Sequence, residues 1–132
     1  MIKSSQQMVK EALLEVRTVS VEQAMTLNGQ PHVLMVDLRE PGERQRYGGI
    51  PGAFPAPRGL IEFWFDPTPD VGKPELTKPQ MTYLLFCAAG WRSALAAKTL
   101  QDMGVADVCH LEGGFQAWQQ AGGPVKLSNP SS

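Results

Sequence analysis

The sequence of 132 residues contains few cysteines, no long apolar run and almost no net charge. Two cysteines are too few for the disulfide framework of a small secreted protein. A net charge of −1 gives no basic field that would attract nucleic acid or an anionic membrane surface. No apolar run approaches membrane-spanning length, and the N-terminal residues lack the layout of a signal peptide. These absences predict a cytoplasmic protein with reduced thiols and with neither nucleic acid nor membrane as a partner.

Three apolar runs of strand length stand out in a chain long enough for one hydrophobic core. They are VLMVD (residues 33–37), YLLFC (83–87) and the shorter VCHL (108–111). Runs of this kind are typical of strands buried on both faces of a parallel sheet. In open α/β sheets, ligands bind beyond the carboxyl ends of the strands. The runs therefore predict an α/β fold with a functional site near Asp37 and Cys87.

Helical patterns alternate with these strands. They predict helices over residues 4–16, from a capping box of Ser20 and Gln23 to Asn28-Gly29, over 93–103, and over 115–121. This alternation is typical of an open parallel sheet with helices on both faces. Whether the first helix docks on the domain or serves association stays open.

A proline-rich region interrupts the alternation. Seven of the eleven prolines lie between Pro51 and Gln80, together with the aromatic segment IEFWF. Proline fixes φ and removes a backbone donor, which predicts an ordered surface excursion without a helix. We interpret its aromatic residues as a satellite core, with a wall of the active site as the alternative. The tail, residues 126–132, is predicted to be disordered.

The segment CAAGWRS, residues 87–93, places a thiol between a strand end and a helix start. The helix N-terminus and its free amides favour a thiolate, the reactive form of cysteine. The small residues that follow Cys87 allow the backbone to curl into an anion-binding nest. Ser93 is expected to cap the helix and to add a hydroxyl to the site. The alternative is that Cys87 is a small buried apolar residue.

Four segments in order resemble the rhodanese family. CAAGWRS is similar to its active-site loop, C-x-x-G-x-R-S, and VDLRE (36–40) to its V-D-x-R-E. IPGAFPAPRG (50–59) resembles its I-P-G-A segment, and HLEGGFQAW (110–118) its closing L-E-G-G-x-x-A-W. The resemblance implies a five-stranded parallel sheet over residues 18–125, preceded by an N-terminal helix within residues 1–17.

The resemblance also implies a single-domain sulfurtransferase. Cys87 would take a sulfane sulfur from an anionic donor such as thiosulfate and hold it as a persulfide. A thiol, or cyanide in an assay, would then accept the sulfur without any cofactor. The residues expected to bind the donor are Ala88, Ala89, Gly90, Trp91, Arg92 and Ser93, and the supporting residues are Asp37, Arg39, Arg58 and Glu112. Trp91 is expected to shape the pocket mouth.

Several of these roles have alternatives. Arg92 either binds the donor or is held by Asp37 or Glu112 to fix the loop, and we slightly favour the second role. Arg39 and Arg58 are candidates to steer an anion towards the thiol.

The remaining thiol and the two histidines carry simpler expectations. Cys109 is expected to be buried packing, and a resolving role would require disulfide reach of Cys87. His32 and His110 lack metal-ligand spacing, so no metal is expected. Gly49 stands where many family members have a histidine, which removes an acid–base role there.

Loop length distinguishes two reaction classes. Six residues run from Cys87 to Arg92, whereas related phosphatases and arsenate reductases have the longer C-x5-R. The shorter loop favours sulfur transfer over phosphate-ester hydrolysis. A non-catalytic rhodanese-like module that binds a partner is the other alternative, and the intact Cys87 argues against it. The oligomeric state is not indicated by the sequence.

Overall fold

The computed structural model describes residues 1–127, which fold into alternating strands and helices. The helices are α1 (Ser5–Glu15), α2 (Val21–Leu27), α3 (Pro41–Tyr47), α4 (Ile61–Trp64), α5 (Trp91–Met103) and α6 (Gly114–Gln120). The strands are β1 (Arg17–Val19), β2 (Val33–Asp37), β3 (Phe54–Pro55), β4 (Thr82–Phe86) and β5 (Val108–Leu111). Two short 3₁₀ turns, Arg58–Leu60 and Pro74–Leu76, lie between β3 and β4.

All five strands form one parallel sheet in the order β1-β5-β4-β2-β3. In the register of β2 and β4, Asp37 lies opposite Phe86. The two strands therefore end side by side, and Cys87 emerges at the same edge as Asp37. The five-stranded parallel sheet that the resemblance implied is confirmed.

Apolar side chains cover both faces of the sheet, because successive residues of a strand point to opposite sides. On one side, Val36 and Leu85 pack with Val16, which follows α1, and with residues of α4 and α5. Met35 and Leu84 pack on the other side with residues of α2 and α6. The prediction of helices on both faces is confirmed.

The first helix docks on the domain. The Lys98 ammonium on α5 lies 2.9 Å from the Glu15 carboxylate, and the Gln101 amide donates a hydrogen bond to the Glu15 carbonyl at 3.1 Å. Ala12 is the buried residue of this helix. The predicted capping box of α2 is also present, since the Ser20 and Gln23 side chains each accept from the other residue's backbone N–H.

Apart from α4, three elements lie where residue patterns predicted none. The strands β1 and β3 have only three and two residues, too few to show an alternation. The helix α3 has no buried residue, so its sequence carries no apolar period. It begins with Pro41 at its first position, where proline's missing N–H costs no hydrogen bond.

The proline-rich region contains one short helix, so the prediction that it lacks a helix is wrong at residues 61–64. Ile61 and Phe65 are buried, and the Phe65 ring packs edge-on against the Tyr83 ring with centroids 5.0 Å apart. Phe54 and Trp64 make a second edge-on pair at 6.4 Å. These contacts support the satellite-core interpretation of the aromatic segment.

The chain end is attached to the domain up to Lys126. Gly49 and Lys126 exchange two backbone hydrogen bonds of 2.9 and 2.8 Å in an antiparallel bridge. The prediction of disorder is therefore wrong at Lys126, while residues 128–132 lie outside the described residues. No helix in the described part of the chain is long and apolar enough to cross a membrane.

Candidate active site

Cys87 directly follows β4 and lies below the first turn of α5. The residue is 1% exposed, and its Sγ accepts hydrogen bonds from the backbone N–H groups of Gly90 at 3.2 Å and Ser93 at 3.4 Å. The first-turn amides of a helix have no intrahelical partner and carry a partial positive charge. Such an environment stabilises the thiolate relative to the thiol.

Gly90 gives the loop its shape. Its φ of 97° lies in the left-handed region, which glycine adopts without strain, and α5 begins immediately after it. The helix therefore starts two residues before the predicted first residue, Ser93. The expected capping role of Ser93 is wrong, because Gly90 occupies the cap position. Ser93 is instead buried within the first turn, with its Oγ 3.6 Å from the Cys87 Sγ.

The start of α6 holds the loop from below. The Phe115 N–H donates to the Cys87 carbonyl at 2.8 Å, and the Gln116 N–H donates to the Ala88 carbonyl at 3.0 Å. A Cβ added to Gly114 would lie 2.5 Å from the Cys87 carbonyl oxygen. Glycine at residue 114 thus permits the approach of α6 to the loop, which gives the L-E-G-G segment a structural reason.

Arg92 is held by Glu43 of α3. The two guanidinium nitrogens each donate to one carboxylate oxygen at 2.9 Å. The hydrogen bond from Arg92 lowers the pKa of Glu43 to about 2, against a smaller opposing effect of burial, and the same bond raises the pKa of Arg92. The fixed state of Arg92 agrees with the favoured role, but the expected partners, Asp37 and Glu112, are wrong. Sequence patterns missed Glu43 because they missed α3.

Asp37 instead pairs with Arg39, and both side chains are nearly fully buried. The Arg39 Nε and Nη2 donate to the Asp37 carboxylate at 3.0 and 2.8 Å, and Nη2 also donates to the Gly48 carbonyl. The guanidinium carbon lies 4.2 Å from the centroid of the Phe115 ring. The expectation that Arg39 steers anions is wrong, because its guanidinium is buried and hydrogen-bonded inside the protein. There it links the end of β2 to α6.

Five other predicted residues lie around or away from the loop. Trp91 is 68% exposed, as a residue at a pocket mouth would be. Arg58 is engaged by Glu62 at 3.2 Å on the neighbouring turn. Glu112 is exposed, and its backbone N–H donates to the Val19 carbonyl. Ala88 and Ala89 are half-buried, and Ala88 borders a cleft of about 350 Å³ beside Glu43 and Gln116.

His110 is a candidate functional residue that residue patterns missed. Its Nδ1 lies 3.2 Å from the Ser93 Oγ, and its Nε2 lies 2.9 Å from the Thr18 Oγ1. Burial lowers the pKa of His110 to about 4, so the ring is neutral near pH 7. The feature of the sequence that could have indicated this residue is a histidine inside an otherwise apolar strand. Within residues 1–127, no three His, Cys, Asp or Glu side chains are close enough to hold a metal ion.

Cys109 lies opposite Leu84 in the register of β5 and β4, on the other side of the sheet from Cys87. Leu84 precedes Cys87 by three residues, which in an extended chain is a distance of about 10 Å. Cys109, beside Leu84, is therefore at least as far from Cys87. This is beyond the reach of a disulfide. Cys109 is fully buried, and burial raises its pKa to about 11. The expected packing role of Cys109 is confirmed, and a resolving role is excluded by geometry.

A family model described as the rhodanese-like domain matches residues 20–121, which include the Cys87 loop and strands β2 to β5, whereas β1 lies just before the match. The chain belongs to the rhodanese-like domain family.

Relatives of this rhodanese-like chain include proteins with and without a described activity. An uncharacterized protein of Synechocystis sp. is 34% identical over 114 residues, which cover 85% of this chain. This chain spans only 58% of that relative's length. The thiosulfate sulfurtransferase GlpE of Shewanella oneidensis is 30% identical over 103 residues, covering 78% of this chain and 92% of GlpE.

A solved structure from Rhodopseudomonas palustris is similar to this rhodanese-like chain over almost its whole length. The two are 43% identical, with a TM-score of 0.90 and 96% of each chain covered. That protein is of unknown function and is described as a possible tyrosine phosphatase. The family and the GlpE relatives therefore support sulfurtransferase-type chemistry in general.

Proposed function

We propose that this protein is a sulfurtransferase that moves a sulfane sulfur from a small anionic donor, such as thiosulfate, to a thiophilic acceptor through a persulfide on Cys87. The observation that carries the proposal is the pair of N–H groups, of Gly90 and Ser93, that point at the Cys87 Sγ at the start of α5. They stabilise negative charge on Sγ while it is a thiolate, before it attacks the donor and again after it has given up the sulfur. The rhodanese-like family and the GlpE relatives support the same class of chemistry.

The first step forms the persulfide. The Cys87 thiolate attacks the outer sulfur of thiosulfate, and a new S–S bond forms at Sγ. The S–S bond within thiosulfate breaks, and its electron pair leaves on sulfite. The outer sulfur of the persulfide then carries the negative charge, next to the free first-turn amides that follow Gly90.

The second step transfers the sulfur. A thiolate acceptor, or cyanide in an assay, attacks the outer sulfur of the persulfide. The S–S bond to Cys87 breaks, and Sγ leaves as a thiolate. The thiolate again accepts hydrogen bonds from the N–H groups of Gly90 and Ser93. This is covalent catalysis in two displacements, and every step uses groups of this chain and its substrates without a cofactor. A cytoplasmic setting would keep the thiol reduced between cycles.

The ion pair of Arg92 and Glu43 supports this mechanism by fixing the loop. The charged, bidentate hydrogen bonds hold the second residue of α5 to α3. A fixed loop keeps its amides in place while charge moves from the donor to Sγ. We therefore assign Arg92 the role of fixing the loop.

Intact mass measurement tests the proposal. The reduced protein is incubated with thiosulfate beside Cys87→Ser and the matched control Cys109→Ala. A gain of one sulfur atom on the wild type and on Cys109→Ala, but not on Cys87→Ser, is the expected result. No gain on the wild type, although cyanide-free thiosulfate is in excess, would contradict the choice of donor and reaction.

A phosphatase is the second candidate, because the Rhodopseudomonas palustris protein is described as a possible one. A phosphate-ester reaction would form a phosphocysteine at the same thiol. The six-residue loop argues against it, since one backbone amide fewer surrounds the anion than in C-x5-R. Release of phosphate from a phosphotyrosine analogue that requires Cys87, without any sulfur gain, would support the phosphatase instead.

The burial of Cys87 bears on the third candidate, a non-catalytic binding module. A buried thiol with its loop amides turned away would favour that module. Here the thiol is 1% exposed, but the amides point at it. This orientation supports catalysis and limits the donor to a small molecule that fits within the loop.

A further inference from the structure

A chain of hydrogen bonds joins Cys87 to the edge of the sheet. From the Cys87 Sγ the distance to the Ser93 Oγ is 3.6 Å, and from there to the His110 Nδ1 it is 3.2 Å. The His110 Nε2 lies 2.9 Å from the Oγ1 of Thr18. Thr18 is an exposed residue of β1, the edge strand, whereas the other three residues are buried.

We propose that Ser93, His110 and Thr18 form a hydrogen-bond relay whose direction reverses when Cys87 ionises, with His110 as a positioning residue that turns the Ser93 hydroxyl towards the thiolate. The inference rests on the proposed role of Cys87 as the nucleophile. It assigns a part in that role to two residues, His110 and Thr18, that do not touch the reacting sulfur.

Each member of the relay has one proton to give and one position to accept another. When Cys87 is a thiol, S–H donates to the Ser93 Oγ, the Ser93 O–H donates to Nδ1, and Nε2–H donates to Thr18. When Cys87 is a thiolate, Sγ is an acceptor only, so the Ser93 O–H must donate to it. Ser93 then accepts from Nδ1–H, and the Thr18 O–H donates to Nε2.

The proton balance of this reversal is complete. The thiol proton passes to Ser93, the Ser93 proton to Nδ1, and the Nε2 proton to Thr18, whose own proton is released to water. His110 holds one proton and Ser93 holds one proton before and after. The step needs no co-reactant, and the released proton leaves through the exposed Thr18 at the edge of the sheet.

The surroundings of His110 keep the ring in the form that this relay requires. Only burial shifts its pKa, which falls to about 4, so the ring stays neutral with one donor and one acceptor nitrogen. Two ion pairs lie on neighbouring elements, Arg17 of β1 with Asp107 at 3.5 Å and Arg92 of α5 with Glu43, and Glu112 is exposed to solvent. None of these charges contributes to the pKa shift of His110. A change in the His110 tautomer therefore follows the hydrogen bonds of Thr18 and Ser93 and not a neighbouring charge.

Nitrogen-15 NMR of labelled histidine tests the reversal directly. The tautomer of His110 is followed through a pH titration of the reduced protein, in parallel with the ultraviolet absorbance of the thiolate, with Cys87→Ala as the reference. We expect the proton to move from Nε2 to Nδ1 at the midpoint of the Cys87 titration and to stay in place in Cys87→Ala. A single His110 tautomer throughout the wild-type titration would overturn the relay. The exposed His32 serves as an internal control.

A surface substitution provides a second measurement that does not disturb the core. Thr18→Val removes the hydroxyl, so we expect the ratio of thiolate to thiol at a given pH to fall about threefold, the effect of one lost hydrogen bond. Ser93→Ala should lower it about tenfold, because the lost bond is made to a charged group. Thr18→Ser should restore the wild-type titration, and Thr26→Val, at an exposed threonine of α2, should leave it unchanged.

The double variant Thr18→Val/Ser93→Ala separates a relay from two independent effects. If Thr18 acts through Ser93, its substitution changes nothing once the Ser93 hydroxyl is absent. An equal shift in both backgrounds, or no shift in Thr18→Val alone, would contradict the relay. These titrations need no sulfur donor, so their failure is distinguishable from a failure of the thiosulfate experiment.

Discussion

At the residue scale, the ion pair of Asp37 and Arg39 is the most deeply buried charged contact described. The two side chains are 2% and 1% exposed, and three hydrogen bonds of Arg39 go to Asp37 and to the Gly48 carbonyl. A buried charge whose partner is removed loses its compensation and cannot regain water. The pair therefore holds the end of β2 beside the active-site loop at the expense of any role in binding an anion.

Asp37→Asn should reduce the free energy of unfolding by about 3–5 kcal/mol, because it leaves the Arg39 cation buried without a counter-charge. Denaturant unfolding measures this loss. The matched control is Glu62→Gln, which breaks the more exposed pair with Arg58 and should cost less than about 1 kcal/mol. Equal losses in the two variants would show that burial does not govern the effect.

Glu43→Gln tests the role of Arg92 in the proposed reaction. Without the carboxylate charge of the Arg92–Glu43 ion pair, the loop loses its fixed position. We therefore expect kcat for sulfur transfer to fall about tenfold, while KM for thiosulfate stays nearly unchanged. Since the pKa of wild-type Glu43 is about 2, its carboxylate is ionised throughout a neutral assay. Glu22→Gln, at an exposed position of α2, is the control. A large rise in KM instead would assign Arg92 to donor binding.

The sequence predicted some of these residues and not others for identifiable reasons. Cys87 and Asp37 were found because each ends a continuous apolar run, and strand ends of a parallel sheet meet at one edge. Glu43 was missed because it lies on a helix without buried residues. His110 was considered only as a metal ligand, and its contacts with Thr18 and Ser93 come from strand pairing and helix packing that no local pattern contains.

At the scale of elements, α6 supports the loop from Cys87 to Arg92 through its backbone. The N–H groups of its second and third residues, Phe115 and Gln116, donate to the carbonyls of Cys87 and Ala88. The loop thus lies between the amino ends of two helices, with α5 directed at the sulfur and α6 at the loop carbonyls. This arrangement explains the glycine at residue 114, where a side chain would collide with the carbonyls of Cys87 and Ala88, whereas a side chain at Gly113 would collide with Ala117 of α6 itself.

Gly114→Ala should separate α6 from the loop. The new Cβ would lie 2.5 Å from the Cys87 carbonyl oxygen, and φ is 62°. We expect a loss of stability of about 2–4 kcal/mol, from crowding and a strained φ together, and a loss of sulfur transfer. The control is Gly122→Ala, where φ is 80° and no atom lies within 4 Å of the new Cβ.

The control isolates the cost of the positive φ, about 1 kcal/mol. The difference between the two variants in denaturant unfolding therefore measures the crowding alone. If Gly122→Ala costs as much as Gly114→Ala, the close approach of α6 is not the reason for the glycine. Retained sulfur transfer in a folded Gly114→Ala would likewise argue against support of the loop by α6.

The elements themselves were predicted unevenly. The buried strands β2, β4 and β5 and the helices with an apolar face were found, since burial imposes a pattern on their sequences. The strand β1 is only three residues long and β3 only two, and both exist because a longer neighbour offers free hydrogen-bonding groups. The start of α5 was misplaced by two residues, because Gly90 caps a helix through its conformation and not through a side chain.

At the scale of the whole molecule, His110 makes stability depend on pH. Its pKa is lowered from 6.5 to about 4 by burial, so below pH 6.5 the unfolded chain binds a proton that the folded chain does not. Stability is fully present above pH 6.5 and falls as the pH drops towards 4. Integration over this shift gives a loss of about 3 kcal/mol.

Denaturant unfolding at several pH values measures this loss. His110→Asn should be less stable than the wild type near neutral pH, but its stability should change less between pH 6.5 and 4.5. His32→Asn, at an exposed histidine, should keep the wild-type slope. If the free energy of unfolding of His110→Asn depended on pH as strongly as that of the wild type, other groups would be the cause of the acid sensitivity.

The placement of Cys87 and Cys109 on opposite sides of the sheet has a consequence for oxidative damage. Peroxide converts a reactive thiolate to a sulfenic acid, which a neighbouring thiol usually rescues as a disulfide. Cys109 cannot reach Cys87, and its pKa of about 11 keeps it protonated. With Cys87 as the proposed nucleophile, a sulfenic acid formed on it would have to be captured by a small external thiol before it advances to the irreversible sulfinic acid. The working lifetime of the protein under peroxide is thus set by the reducing capacity around it.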